Sequence, residues 1–530
     1  MKKYIKSEKL KLLFAILFTL SNSILAVRIQ FVKGEVLDFA LVNDIDASIR
    51  FAIFLGILIV IELITYYLYD ILRSKFTASV MKILRQDYFK SLLKRNYPAF
   101  IEKNSGEYIA QFTNELVLIE NQFFATIPLL SEIIIKILIV SIFLFKLNTE
   151  IAIITIILLS TPLYVPKLIE NRLKKTQKAY IDEFEALISK YSDWLKGFET
   201  IKNFGIENNI FAQFRKLNRN MIYKNWKNKK IRCTARVISS MLSYFSHFII
   251  LVYAIRLVLI NEFSAGEFFV AIGMIDQLSY PILNLNYLIQ DILQVRSVNE
   301  NVLEFIQYKD KNILKENISI RDFNEIRFED VSFGYKDNLN ILTDLNIKFE
   351  RNKKYLISGP SGSGKTSAIN LLLNYYKPNK GEVYIDNLEV EKIYNLNSLI
   401  TIMRQDSIIF NTSLRNNLAM YQEISDDKLI EMLKSMGLNK FADKKALEMI
   451  ISEDGSNLSG GEKRRISLIR TLLRETPILI LDEPTANLDH KNIKIIKDFI
   501  KRISDKTVIV ISHQIDEKNC DEFDYIYNIS

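Results

Sequence analysis

Apolar positions in this chain run together before about residue 300 and come in short bursts after it. Stretches at 10–27, 51–68, 127–145, 151–165, 245–259 and 268–293 carry few or no charges. Several approach or exceed the ~20 residues a helix needs to cross a bilayer, where each backbone polar group must be satisfied within the segment itself. The pattern predicts six transmembrane helices. From residue 318 onward, β-like runs at 326–328, 347–349, 354–357, 383–385, 478–481 and 507–511 alternate with helical segments at 366–375, 427–436, 459–474 and 491–502. Such alternation predicts an α/β domain with a largely parallel central sheet. The chain therefore divides into a membrane domain at 1–305, a charged linker at 306–317 and an α/β domain at 318–530.

Charge sets the orientation. Lys2, Lys3, Lys6, Lys9 and Lys11 open the chain, and the segments 73–103 and 167–236 are rich in Lys and Arg. The alternate connections differ: 32–48 carries mainly Glu35, Asp38, Asp44 and Asp46, while 147–150 and 261–267 lack Lys and Arg. The positive-inside rule puts both termini and both long loops in the cytoplasm. Helical periodicity in those loops, as at 180–197, predicts membrane helices that continue into the cytoplasm as levers. The net charge of +9 is accounted for by a polybasic face against anionic lipid and needs no nucleic acid. A basic start before an apolar run also fits a secretory signal peptide, but a second, oppositely oriented span follows and no persuasive small-x-small cleavage site is present. Cys233 and Cys520 are distant and form no C-x-x-C, which predicts reduced thiols without a metal or disulfide role.

The chemistry lies in the second half. Gly359, Pro360, Ser361, Gly362, Ser363, Gly364, Lys365 and Thr366 fit G-x-x-x-x-G-K-[ST], and Ser367 follows. The run sits after a predicted strand and opens a predicted helix, as a phosphate-binding loop requires. Glycines let backbone N–H groups turn around a β-phosphate, Lys365 reaches the β/γ-phosphates and Thr366 offers a hydroxyl to Mg²⁺. The run 478–481 is four apolar residues ending in Asp482 and Glu483. That suits an acid that holds Mg²⁺ and a neighbour that polarises an attacking water; a core strand with solvated acids at its tip has the same pattern.

With these motifs the chain resembles an ATP-binding cassette (ABC) exporter of the half-transporter type over nearly its whole length. The resemblance implies a membrane α-helical domain of six transmembrane helices, type IV (exporter-like), followed by an α/β P-loop ATPase domain. Leu458-Ser459-Gly460-Gly461-Glu462 resembles the defining family motif. Ser459, Gly460 and Gly461 would then contact the γ-phosphate of an ATP held by another subunit's Lys365 loop. The same resemblance implies Tyr335 against the adenine, Gln405 near Mg²⁺ and the membrane domain, Asp489 at a dimer interface and His513 on the γ-phosphate. Gly106-Glu107 with Thr113-Asn114-Glu115, and 197–202 with Gly205-Ile206-Glu207, resemble the two cytoplasmic loops that dock on the ATPase domains. As bare sequence they also fit solvated helix surface.

ATP and Mg²⁺ are the implied cofactors, and a second copy or a related half-transporter, membrane lipid and an unidentified cargo the implied partners. Two departures stand beside the resemblance. Glu462 replaces a common glutamine and is followed by Lys463-Arg464-Arg465, a variant similar to cysteine and glutathione exporters among others. The last strand-like run, 525–529, lies next to Ser530 where relatives continue, which predicts a less secure domain edge. Glu62, the i,i+4 pair Glu132 and Lys136, His247 and Asp276 fall inside predicted spans, with Asn284 and Asn286 nearby. Such groups face a cavity and contact cargo, or pair between helices. Drug, lipid, peptide and small thiol all stay open as cargo. A cassette ATPase with a non-transport role would share the ATP motifs but not the spans, and a channel or receptor would share the spans without needing Glu483.

Overall fold

Each long apolar stretch in the first part of the chain folds as helix, the conformation in which one segment satisfies its own backbone in lipid. The structure, a computed structural model, describes residues 1–308, 318–335, 340–405, 408–486, 490–513 and 522–529. It groups into two units, Met1–Leu93 with Lys103–Tyr308 and Lys94–Glu102 with Lys309–Ser530. Most of the expected linker, together with Asp489 and Cys520, lies outside the described residues.

Among the described residues of the first unit, five helices are long and apolar enough to cross a membrane: Lys9–Leu41, Ile45–Leu93, Ser105–Leu147, Glu207–Leu259 and Ala265–Ile289. The remaining expected span is broken. Its apolar run forms a helix of 12 residues, Thr149–Ser160, then a 3-10 turn, Thr161–Tyr164, before helix resumes at Val165–Lys196. Pro162 and Pro166 account for the break, since neither offers an N–H to the preceding turn. Glu207–Leu259 has 53 residues and is therefore about 80 Å long, against ~30 Å of hydrocarbon. It must project beyond the bilayer, as a lever does. Val140, Leu144, Ile151, Ile250, Ala254, Ala271 and Met274 pack into one core between these helices.

In the second unit the strands are β1 Glu325–Phe333, β2 Leu342–Glu350, β3 Lys354–Ser358, β4 Lys380–Ile385, β5 Leu388–Glu389, β6 Ile400–Met403, β7 Ile478–Asp482, β8 Thr507–Ser512 and β9 Tyr525–Asn528. The expected parallel sheet has the order β6-β7-β8-β3-β9. A separate antiparallel sheet, β2-β1-β4-β5, was not legible as such. Period-two alternation explains why β7 and β8 read as unbroken apolar runs. Ile478, Ile480, Ile509 and Ile511 enter one core, whereas Leu479, Leu481, Val508 and Val510 enter the other. Both faces of the parallel sheet are thus covered.

β9 forms the edge of this sheet. β9 pairs with β3 from Tyr355↔Tyr525 to Ser358↔Asn528, the Tyr525 and Tyr527 rings stack on Tyr355, and Ile529 is buried.

Candidate functional site

β3 leads straight into the glycine-rich loop, and the helix Lys365–Leu372 leads out of it. The two fixed elements force the backbone between them to turn tightly. Gly359 has φ +152°, and a Cβ there would lie 2.0 Å from the Ile529 carbonyl oxygen. Gly364 has φ +94° at the helix N-cap, with Leu342 Cδ2 2.5 Å from where a Cβ would sit. A Gly359→Ala change is expected to cost roughly 2 kcal/mol or more of stability, read as a lowered thermal midpoint of the full chain in detergent.

A cleft of about 350 Å³ opens over this loop, lined by Tyr335, Ser361, Gly362, Gly364, Lys365, Thr366, Ser367, Gln405, Asp482, Glu483 and His513. Lys365 is buried, and its Nζ donates to the carbonyls of Gly359 at 2.8 Å and Pro360 at 2.7 Å. Burial draws the ammonium below its usual range, while Glu483 and Asp482 act in the opposite direction. Ser363 Oγ is buried without a hydrogen bond, a polar atom left for a phosphate oxygen. Tyr335 is half-exposed, its ring set edge-on to Phe333 and Tyr376, and its hydroxyl shares a 3.2 Å hydrogen bond with Ser367 Oγ.

Glu483 follows the buried strand β7 with φ +50°, a conformation fixed in part by its N–H donating to the Ile511 carbonyl at 3.0 Å. Its side chain is held from two sides. Gln405 Nε2 donates to Oε2 at 2.7 Å, and His513 Nε2 contacts Oε1. His513 Nδ1 lies 3.2 Å from Lys365 Nζ. An ammonium can only donate, so Nδ1 accepts and the ring proton sits on Nε2, facing Glu483. Asp482 is buried, which pushes its carboxyl above the ordinary range; Arg404 opposes that shift and Glu483 adds to it. Thr366, Gln405 and Asp482 form an all-oxygen donor set, the kind that suits Mg²⁺. Gln405 donates its amide N–H to Glu483, so its carbonyl oxygen is the atom that could meet a cation.

Ser459, Gly460 and Gly461 do not line this cleft. They start the helix Gly460–Leu473, which Ser459 caps. Several contributors carried no sequence signal because their contacts are long-range. Arg464 Nη2 donates to the Gln405 carbonyl at 2.8 Å, Arg404 Nη2 donates to Asn370 Oδ1 at 2.6 Å, and Ile341 lines the cleft. Tyr97 stacks on Tyr375 with ring centroids 4.5 Å apart.

In the first unit the expected loops are shaped by local caps. Asn104 caps Ser105–Ala110 by accepting from the Glu107 N–H, and π-helical turns follow at Gln111–Glu115 and Glu120–Phe124. Phe198–Phe204 is a separate short helix ended by Gly205 at φ +64°, with Lys202 and Glu207 paired at 3.0 Å across the turn. Of the charges expected in the spans, His247 Nε2 meets Asp276 Oδ1 at 2.9 Å, with Ser279 Oγ 3.4 Å from the ring. At Glu62 the backbone carbonyl accepts from Asn22 Nδ2 at 3.0 Å. Among the described residues no ion pair joins Glu132 to Lys136; Asn284 bonds the Tyr280 carbonyl, and the Asn286 side chain lies outside the described ones.

Two family models match the chain: the ABC transporter transmembrane region over residues 12–282 and the ABC transporter model over residues 342–486. Among curated proteins, the chain is 27% identical to the lactococcin-G-processing and transport ATP-binding protein of Lactococcus lactis subsp. lactis, over 86% of this chain and 65% of that one. It spans just under two thirds of that relative's length. It is also 27% identical to a multidrug resistance-like ATP-binding protein of Buchnera aphidicola subsp. Schizaphis graminum, over 91% and 86% of the two chains. An ATP-dependent lipid A-core flippase of Wigglesworthia glossinidia brevipalpis is 26% identical over 83% of this chain and 77% of that one. The solved structure of a bacterial Atm1-family ABC exporter with ATP bound superposes with a TM-score of 0.83, covering 99% of this chain and 94% of that one; at 19% identity the likeness is one of fold.

Proposed function

Since the chain belongs to the ABC transporter family, we propose that two identical copies of it close head to tail around two ATP molecules, the Lys365 loop of each facing the Ser459–Gly461 segment of the other. The activity they serve is ATP-driven export across a membrane. In each site the backbone N–H groups of the loop receive the phosphates, and Lys365 exchanges the carbonyls of Gly359 and Pro360 for phosphate oxygens. Tyr335 presents its ring to the adenine. Thr366, Gln405 and Asp482 would hold Mg²⁺, which would neutralise charge on the phosphates. Glu483 takes a proton from water as the water oxygen bonds to the γ-phosphorus and the bond to ADP breaks, giving ADP and inorganic phosphate. Gln405 keeps the carboxylate aimed, and His513 turns its Nε2 proton toward the γ-phosphate.

Closure turns the membrane cavity outward and hydrolysis resets it. The Lys and Arg distribution supports an orientation with both termini and the ATPase unit in the cytoplasm, in the cytoplasmic membrane. Asp276, Glu62, Glu132, Lys136 and His247 remain the cargo-contact candidates, because polar groups in a span face a cavity or one another. The relatives' printed functions range over lactococcin-G processing and transport, multidrug resistance and lipid A-core flipping, and favour no one cargo class.

The observation that carries the two-copy reading is the separation of Ser459–Gly461 from the cleft that holds Glu483. Co-reconstitution tests it. Ser459→Ala chains alone are expected to hydrolyse ATP about tenfold or more slowly, and Glu483→Gln chains more slowly still. Mixed in one membrane, they form dimers in which one site joins an intact Glu483 to an intact Ser459. Turnover should rise above the average of the two separate preparations. No rise would mean that each copy works with its own Ser459, or that copies do not pair.

A further inference from the structure

At the start of the helix Gly460–Leu473, Glu462 closes a capping box: Ser459 Oγ accepts from the Glu462 N–H at 3.3 Å and Glu462 Oε2 accepts from the Ser459 N–H at 2.8 Å. Its other oxygen, Oε1, lies 2.6 Å from Lys440 Nζ. The Glu462 side chain is 13% exposed and that of Lys440 61%, so the carboxylate is the desolvated partner. Lys440 belongs to the helical turn Asn439–Phe441, and its Nζ sits 4.6 Å from the centre of the Phe441 ring. Burial works to raise the Glu462 carboxyl, yet Lys440 and the Ser459 N–H together hold it below its ordinary range.

The sign of the charge here decides what this helix end can receive. A helix N-terminus carries about half a positive charge. An isolated Glu462 carboxylate would turn that into about half a negative charge, which repels a phosphate. Lys440, the cation in contact with that carboxylate, returns the capping box to about half a positive charge, and Arg465 stands beside it with its Nε donating to the Gly461 carbonyl at 3.2 Å. A glutamine at 462 would keep the capping box and need no such compensation.

We infer that Lys440 is a positioning residue for ATP hydrolysis: by neutralising Glu462 it lets Ser459–Gly461 accept the terminal phosphate of an ATP held by a second copy. The inference rests on the two-copy reading above. It makes charge compensation, rather than folding, the task of a surface lysine that belongs to none of the nucleotide motifs.

A double-mutant cycle on the full chain in proteoliposomes tests it, with KM for ATP and kcat measured for each variant. Lys440→Ala is expected to raise KM roughly fivefold to tenfold while kcat stays within about twofold. In a Glu462→Gln background the same Lys440→Ala change should move KM less than about twofold, and Lys440→Arg should keep the original KM. An unchanged KM in Lys440→Ala overturns the inference. So does a rise that persists in the Glu462→Gln background, because a purely structural lysine would be missed equally in both. Ser459→Ala is run beside them: if it is impaired and Lys440→Ala is not, this inference alone falls, whereas full turnover in Ser459→Ala brings down the two-copy reading and this inference with it.

Discussion

Exchanging Glu483 for glutamine is expected to lower ATP turnover by about two to four orders of magnitude and abolish export, with ATP affinity kept within about threefold. The shape of the side chain survives the exchange, but the amide has no basicity with which to take a proton from water. Its surroundings change little. The Glu483 carboxylate accepts from Gln405 Nε2 on one oxygen and meets His513 on the other. An amide can accept only on one side, so one of those contacts is lost unless Gln405 turns its own amide over. That costs about 1 kcal/mol, roughly fivefold in an equilibrium, which is small beside the loss of the base. The backbone at φ +50° and its hydrogen bond to Ile511 do not depend on the head group. ATPase assays with parallel nucleotide-binding measurements in membranes separate the two effects. Turnover and export at the original rate would remove Glu483 from the base's role.

The parts of this site that were legible in the sequence are those whose chemistry is contiguous. Gly359–Thr366 can be read because loop, lysine and hydroxyl must follow one another along the backbone to surround one phosphate. Asp482 and Glu483 can be read because a fully apolar strand delivers them. β6 was not legible because the short helix Leu396–Leu399 runs directly into Ile400–Met403, with no turn residue to mark where helix ends and strand begins. The antiparallel sheet was hidden for a different reason, since β1 and β2 pair through register shifts between Phe328, Val331 and Phe333 that blur the alternation. At the fourth apolar run composition reports hydrophobicity and not continuity: Pro162 and Pro166 break the helix without making it polar. Arg464 on the Gln405 carbonyl, Tyr97 on Tyr375 and Lys440 on Glu462 are contacts between residues 22 to 278 positions apart, whose meeting only the fold decides.

Exchanging Lys365 for methionine should produce the opposite split, a loss of ATP binding of at least about a hundredfold that removes turnover as a consequence. Methionine fills nearly the same volume, so the packing beneath the loop is kept and the loss is electrostatic. Lys365 is 4% exposed, and its ammonium makes two short hydrogen bonds to the Gly359 and Pro360 carbonyls. A cation held this close to the loop moves onto phosphate oxygens at little cost, because both arrangements satisfy its donors. Without it the two carbonyls point at bound phosphate with nothing between them, and like partial charges face each other in a poorly solvated cleft. His513 loses the donor that fixes its tautomer, so its Nε2 proton is no longer assigned to the side of Glu483. A Lys365→Arg change keeps the charge but carries a planar fork in place of a compact ammonium, and the buried position leaves it little room. Its binding should be intermediate. Equilibrium binding of a fluorescent ATP analogue to the full chain is the measurement, with the thermal midpoint as a check on folding. If Lys365→Met binds ATP normally and fails only in turnover, Lys365 acts on the transition state alone and the assignment of ground-state phosphate binding to it is wrong.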